Sequence, residues 1–104
     1  MAAPYNPPVK NEDFKVRIAL EDMASPGSFK ANPTIAAGDF KVSIDGGALA
    51  NLTNLPAVEP ASSIWIEVYL TASEMNGDDI AIQAIDQTSP KEWSDWAISI
   101  ITTQ

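Results

Sequence analysis

The sequence contains no cysteine and no histidine. Without cysteine there is no disulfide framework and no thiolate to serve as nucleophile or soft metal ligand. Without histidine the commonest general base and metal ligand is missing as well. Zinc sites, Ser-His-Asp catalysis and Cys-His catalysis are therefore set aside together. Bases are also scarce: 6 Lys and Arg stand against 14 Asp and Glu, for a formal net charge of −8. No basic patch can form that would release counterions from a phosphate backbone, so nucleic acid is not expected as a partner. The acidic surface reads first as a device for solubility and against self-association. No apolar run approaches the ~18 residues of a membrane span, and Met1-Ala2-Ala3-Pro4-Tyr5 lacks the basic start and apolar stretch of a signal peptide. A soluble protein with no membrane partner is the expectation.

What remains is a chain of 104 residues, the size of one domain and long enough to fold without disulfides or metal. Its clearest stretch is residues 64–77, IWIEVYLTASEMNG. Ile64, Ile66, Val68 and Leu70 alternate with Trp65, Glu67 and Tyr69, the period of a half-buried strand. Thr71-Ala72-Ser73-Glu74 follows, a capping-box spacing able to close one helical turn before Asn76-Gly77 ends it. Similar alternation runs through Phe14, Val16, Ile18 and Leu20, through Phe40, Val42 and Ile44, and through Trp96, Ile98 and Ile100. Asp45-Gly46-Gly47 is a hairpin signal because these residues tolerate the positive φ of tight primed turns. Pro56 and Pro60 confine any pairing around them to a sheet edge. In residues 79–86, DIAIQAID, apolar groups fall on both faces, so this strand is either central or leaves Ile85 at an interface. About seven strands separated by frequent turn signals predict an all-β sandwich over residues 14–104. Its expected core is Phe14, Val16, Ile18, Phe40, Val42, Ile44, Ile66, Val68, Leu70, Trp96 and Ile98. Residues 1–13 carry Pro4, Pro7 and Pro8 and read as an extended arm rather than a strand.

The candidates for chemistry are the acids. Glu74, Asp78 and Asp79 could offer oxygen ligands to calcium, but they lack the alternating ligands of a dedicated calcium loop. Paired carboxylates can hydrolyse glycosides when held in a cleft, yet here they lie in turns between short strands. No catalytic residue, metal ligand or cofactor is assigned. The aromatics carry more. Trp96 lies on a core stripe, whereas Trp65, Tyr69 and Trp93 sit beside polar residues, a setting that suits a protein interface. Tyr5 and Val9, held on an extended path by Pro7 and Pro8, are the arm's candidate contacts. The partner-binding set is thus Tyr5, Pro7, Pro8, Val9, Trp65, Tyr69 and Trp93.

Three stretches together carry a resemblance: GDFKVSIDGGALANLTNLPAVEP (residues 38–60), VYLTASEMNGDDIAIQAID (68–86) and EWSDWAISIITTQ (92–104). Their most characteristic parts are Asp45-Gly46-Gly47, Asn51-Leu52-Thr53 and the run from Leu70 to Gly77. They resemble a family of small immunoglobulin-like proteins of tailed bacteriophages and prophages, encoded among virion structural genes. The resemblance implies an immunoglobulin-like β-sandwich and a non-enzymatic virion component that assembles in the host bacterial cytoplasm. It implies a capsid decoration or cement protein, or a head–neck component, bound to other virion proteins such as a major capsid, neck or tail protein. Homo-oligomers are open to it as well. The alternative is a tail-fibre or adhesion module that binds a host glycan or another tail protein. Folding is expected to need no metal. A chelator should leave the thermal unfolding temperature unchanged, and a loss restored by calcium would revive an acidic-turn site.

Overall fold

The computed structural model of the chain describes residues 7–103. Seven strands follow one another: β1 (Phe14–Ala19), β2 (Phe40–Ile44), β3 (Ala50–Asn51), β4 (Ala57–Val58), β5 (Trp65–Leu70), β6 (Asp79–Ala84) and β7 (Trp96–Ile101). They form two antiparallel sheets, a three-stranded one ordered β1-β5-β4 and a four-stranded one ordered β3-β2-β6-β7. In immunoglobulin lettering these orders read B-E-D and C′-C-F-G, the strand arrangement of that sandwich.

The period-two stripes place the core. Ile66, Val68 and Leu70 of β5, and Ile80, Ile82 and Ala84 of β6, are all but inaccessible, each at most 1% exposed. Val42 and Phe40 of β2 and Ile18 of β1 complete the two inner faces. β6 lies between β2 and β7, which settles its two-faced pattern: Ile80, Ile82 and Ala84 face the core, while Ala81, Gln83 and Ile85 are half-buried. The β2–β3 hairpin turns as its sequence predicts. Asp45 and Gly46 have φ of 52° and 78°, and the Gly47 amide donates to the Ile44 carbonyl across 2.9 Å, the conformation of a type I′ turn.

Four differences from the sequence reading stand out. Leu20, Met75, Ile80, Ile82, Ala84, Trp93 and Ile100 are buried core residues that the expected set omits. Phe14, Val16, Ile44 and Trp96 are only partly buried, packing against that core. Ile98 is 38% exposed, because β7 is the outer strand of the wider sheet and the narrower sheet does not cover its flank. The anticipated helical turn after β5 is a capped turn, with the Met75 amide bonded to the Thr71 carbonyl at 3.0 Å, and residues 71–75 form no helix.

Val68→Ala should therefore lower the unfolding free energy by about 2–4 kcal/mol, the usual cost of an unfilled core position. Ile98→Ala should cost under about 1 kcal/mol because its side chain is already partly in water. Urea unfolding of both variants checks the assignment, and equal losses would contradict it.

Candidate functional site

Several acidic side chains of this chain are turned toward its own backbone. The Asp39 carboxylate accepts the amides of Ala36 and Gln87, at 2.9 and 3.0 Å. The Asp86 carboxylate accepts those of Thr88 and Glu92, at 2.9 and 2.7 Å. Glu74 accepts the amide of Thr71 and, across the sandwich end, that of Thr53, both at 2.8 Å. The Thr71 hydroxyl in turn accepts the Glu74 amide at 3.3 Å, so the capping box read from the sequence is present. Asp45 takes the amides of Asp78 and Asp79 on one oxygen, at 2.9 and 3.0 Å. Asp13 takes the Ala72 amide and the Tyr69 hydroxyl, each at 2.9 Å. Asp39, Glu74 and Asp86 are themselves buried. A carboxylate placed this way satisfies amides that loops cannot pair in a ladder.

These contacts shift ionisation. The amides of Asp79 and then Asp78 hold the Asp45 carboxyl below its ordinary value. For Asp86, burial pushes the value up, but the amides of Glu92 and Thr88, with the Thr88 hydroxyl and the Trp93 amide, outweigh it and the net direction is down. Hydrogen bonding to the Asp13 carboxylate, followed by burial, raises the Tyr69 phenol.

The motifs singled out in the sequence meet at one end of the sandwich. Gly77 packs so closely on the β2–β3 turn that a Cβ there would lie 2.5 Å from Ile44 Cγ2 and 2.9 Å from Asp45 Oδ2. The turn at residues 45–47, the loop at Thr53 and the run of residues 70–77 are thus joined by Asp45, Gly77 and Glu74.

The candidate partner-binding residues part company in space. Tyr5 lies outside the described residues. Pro7 is exposed, and Pro8 and Val9 are half-buried. The described part of the arm is not free: Val9 bridges Thr103 in parallel, the Thr103 amide donates to the Pro8 carbonyl, and the amides of Lys10 and Asn11 donate to Thr103 and Met75. Pro8 spends its carbonyl, the one backbone group that proline keeps for a ladder. Trp65 stands 42% exposed at the start of β5. Tyr69 shares its face but is engaged by Asp13 and lies beneath the Lys15 ammonium, 5.1 Å from the ring centre. Lys15 also pairs with Glu67 at 3.2 Å. Trp93 corrects the sequence reading. It is fully buried, because residues 92–94 are stitched to residues 21–23 by backbone bonds. This turns the indole onto Phe40, with ring centres 6.0 Å apart, and its Nε1 donates to the Thr34 carbonyl.

The two outward faces differ in kind. β1 and β5 present Lys15, Arg17, Trp65, Glu67 and Tyr69, while β6 and β7 present Asp79, Ala81, Gln83, Ala97, Ser99 and Ile101, with the Ser99 hydroxyl donating to the Asp79 carboxylate. On the second face a shallow depression of about 360 Å³ opens beside Leu49. Among the described residues no cluster of three or more acids is placed to hold a metal ion. Comparison with known proteins finds no matching family model, no matching curated protein and no matching solved structure.

The Asp86 contacts generate a pH-dependent prediction. A carboxyl whose folded value is depressed stabilises the protein above its ordinary value of 3.8, and that contribution is lost as pH falls through the folded value. Asp86→Asn leaves one acceptor oxygen for two amides and should cost about 1–3 kcal/mol at pH 7. The gap in thermal unfolding temperature between variant and wild type should narrow on acidification below the ordinary value. A gap that stays constant with pH would contradict the role of the charged form.

Proposed function

We propose that this chain is a non-enzymatic structural protein of a tailed-bacteriophage particle, a capsid decoration or cement protein or a head–neck component that binds other virion proteins. The reading rests on the phage-family resemblance. The observation that supports it most is that the resembling motifs meet in space: Glu74 of the run ending at Gly77 accepts the Thr53 amide, Gly77 packs on Ile44 and Asp45, and Asp45 accepts the amides of Asp78 and Asp79 that follow the run. Residues that are scattered in sequence but joined in space are those that a fold-defining signature would contain. The use of carboxylates as backbone braces agrees with a framework role, since a brace with both oxygens on amides is poorly placed to accept or release a substrate proton.

On this reading the exposed Trp65, on the same face as Glu67 and Tyr69, is the residue best placed to anchor a virion partner, because an exposed aromatic among polar neighbours is typical of interface anchors. The protein acts in the particle and reaches it by assembly in the host cytoplasm.

Purified protein added to particles lacking it, and separately to host cells, tests the proposal. Saturable binding to particles in many copies is expected, and Trp65→Ala should weaken it on the order of tenfold or more with the unfolding temperature unchanged. Binding to cells or isolated glycans alone would replace this reading with that of an adhesion module.

A further inference from the structure

The end of the sandwich where Gly77 meets Asp45 carries two dipeptides of one chemical kind, Asp45-Gly46 and Asn76-Gly77. In each, the side-chain carbonyl can be attacked by the backbone nitrogen that follows, because glycine has no Cβ to obstruct closure of a five-membered ring. The structure separates the two. The amides of Asp79 and then Asp78 keep the Asp45 carboxyl ionised and fix one of its oxygens, and a carboxylate resists nucleophilic attack. Asn76 is exposed, and its side-chain amide has no partner among the described residues. No other asparagine of the chain precedes glycine. Asn6 and Asn32 precede proline, which has no N–H, and Asn11, Asn51 and Asn54 precede residues with large side chains.

Of the two groups that must meet, one is fixed and the other is free. The Gly77 N–H donates to the Met75 carbonyl at 3.0 Å, two residues back, the closure of a three-residue turn. The Gly77 carbonyl accepts the Thr102 hydroxyl at 2.6 Å. The nitrogen is thus held in place, while the Asn76 side chain can swing onto it from solvent.

We propose that Asn76 is a site of spontaneous deamidation, and that its isoaspartyl product loosens this end of the sandwich. Solvent base takes the Gly77 amide proton, the nitrogen forms a bond to Asn76 Cγ, and the side-chain nitrogen leaves as ammonia after taking a proton from water. The resulting succinimide is opened by water at either carbonyl. Opening at Cγ restores the main chain and leaves an aspartyl residue. Opening at the backbone carbonyl routes the chain through Cβ and lengthens it by one atom. Gly77 cannot yield toward the β2–β3 turn, since a Cβ there would already lie 2.5 Å from Ile44 Cγ2. The added atom is therefore taken up by residues 71–76, where Glu74 holds the amides of Thr71 and Thr53, both at 2.8 Å.

Incubation of the folded full chain in mildly alkaline buffer, followed by peptide mass analysis, tests the site. The mass gain of replacing NH2 by OH should appear in the peptide containing Asn76, at a rate within about tenfold of the urea-unfolded chain, because only a local opening of the turn is needed. The modified peptide should be a substrate for an isoaspartyl methyltransferase, and Asn76→Gln should abolish the gain. The consequence is read separately. Asn76→Asp adds the charge without the extra main-chain atom, so the isolated isoaspartyl form should unfold at a lower temperature than both Asn76→Asp and the unreacted chain. Its Thr53 amide should also exchange faster. A folded chain that stays intact at Asn76 while the unfolded chain reacts would overturn the site. An isoaspartyl form with the unfolding temperature of the unreacted chain would overturn its effect on the fold.

Discussion

Pairs of backbone amides held by single carboxylates are the interaction on which this structure depends. A sandwich of short strands leaves long connections, and each connection carries N–H groups that no ladder satisfies. Residues 20–39 and 85–95 contain no strand of the two sheets, yet Asp39 and Asp86 tie their ends together, and the Ile85 amide donates to the Asp39 carbonyl at 2.9 Å. Glu74 does the same at the other end of the chain's path by joining the turn after β5 to the loop at Thr53. Charged acceptors are stronger than neutral ones and geometrically demanding, so each brace both stabilises a loop and fixes its shape. With such braces in place, no described buried side-chain nitrogen or oxygen is left without a partner.

This use of acids connects charge to function. A net charge of −8 reads as surface, but part of it is inside, where it is spent on architecture. The outer faces then carry what distinguishes one surface from another. The β1–β5 face is polar and aromatic, with Trp65 exposed beside a paired Lys15 and Glu67. The β6–β7 face carries a single acid, Asp79, bonded to the Ser99 hydroxyl, among Ala81, Gln83, Ala97 and Ile101.

Much of the fold was legible in the sequence because it rests on local signals. The stripes of β1, β2, β5 and β7, the type I′ turn at Asp45-Gly46 and the Thr71–Glu74 box are each contained within a few residues. What escaped depends on distant partners. Trp93 is followed by a polar stretch and reads as exposed, and only the stitching of residues 92–94 to 21–23 buries it. Asp39 and Asp86 look like ordinary turn acids, since the Ala36–Asp39 and Asp86–Thr88 bonds are local while the amides of Gln87 and Glu92 lie beyond any local spacing rule. The exposure of Ile98 follows from strand order, which periodicity does not encode. The attachment of Val9 to Thr103 required knowing where the last strand ends.

Native-state hydrogen exchange is the most direct measurement of the central claim. If carboxylates brace the loops, the amides of Thr53, Ala72, Gln87 and Glu92 should exchange at neutral pH as slowly as amides within the strands, although none belongs to a sheet. Protection at these loop amides should also fall before that of the β5 and β6 amides as pH is lowered. Exchange of the four amides at the rate of open chain, with the strands still protected, would contradict the account.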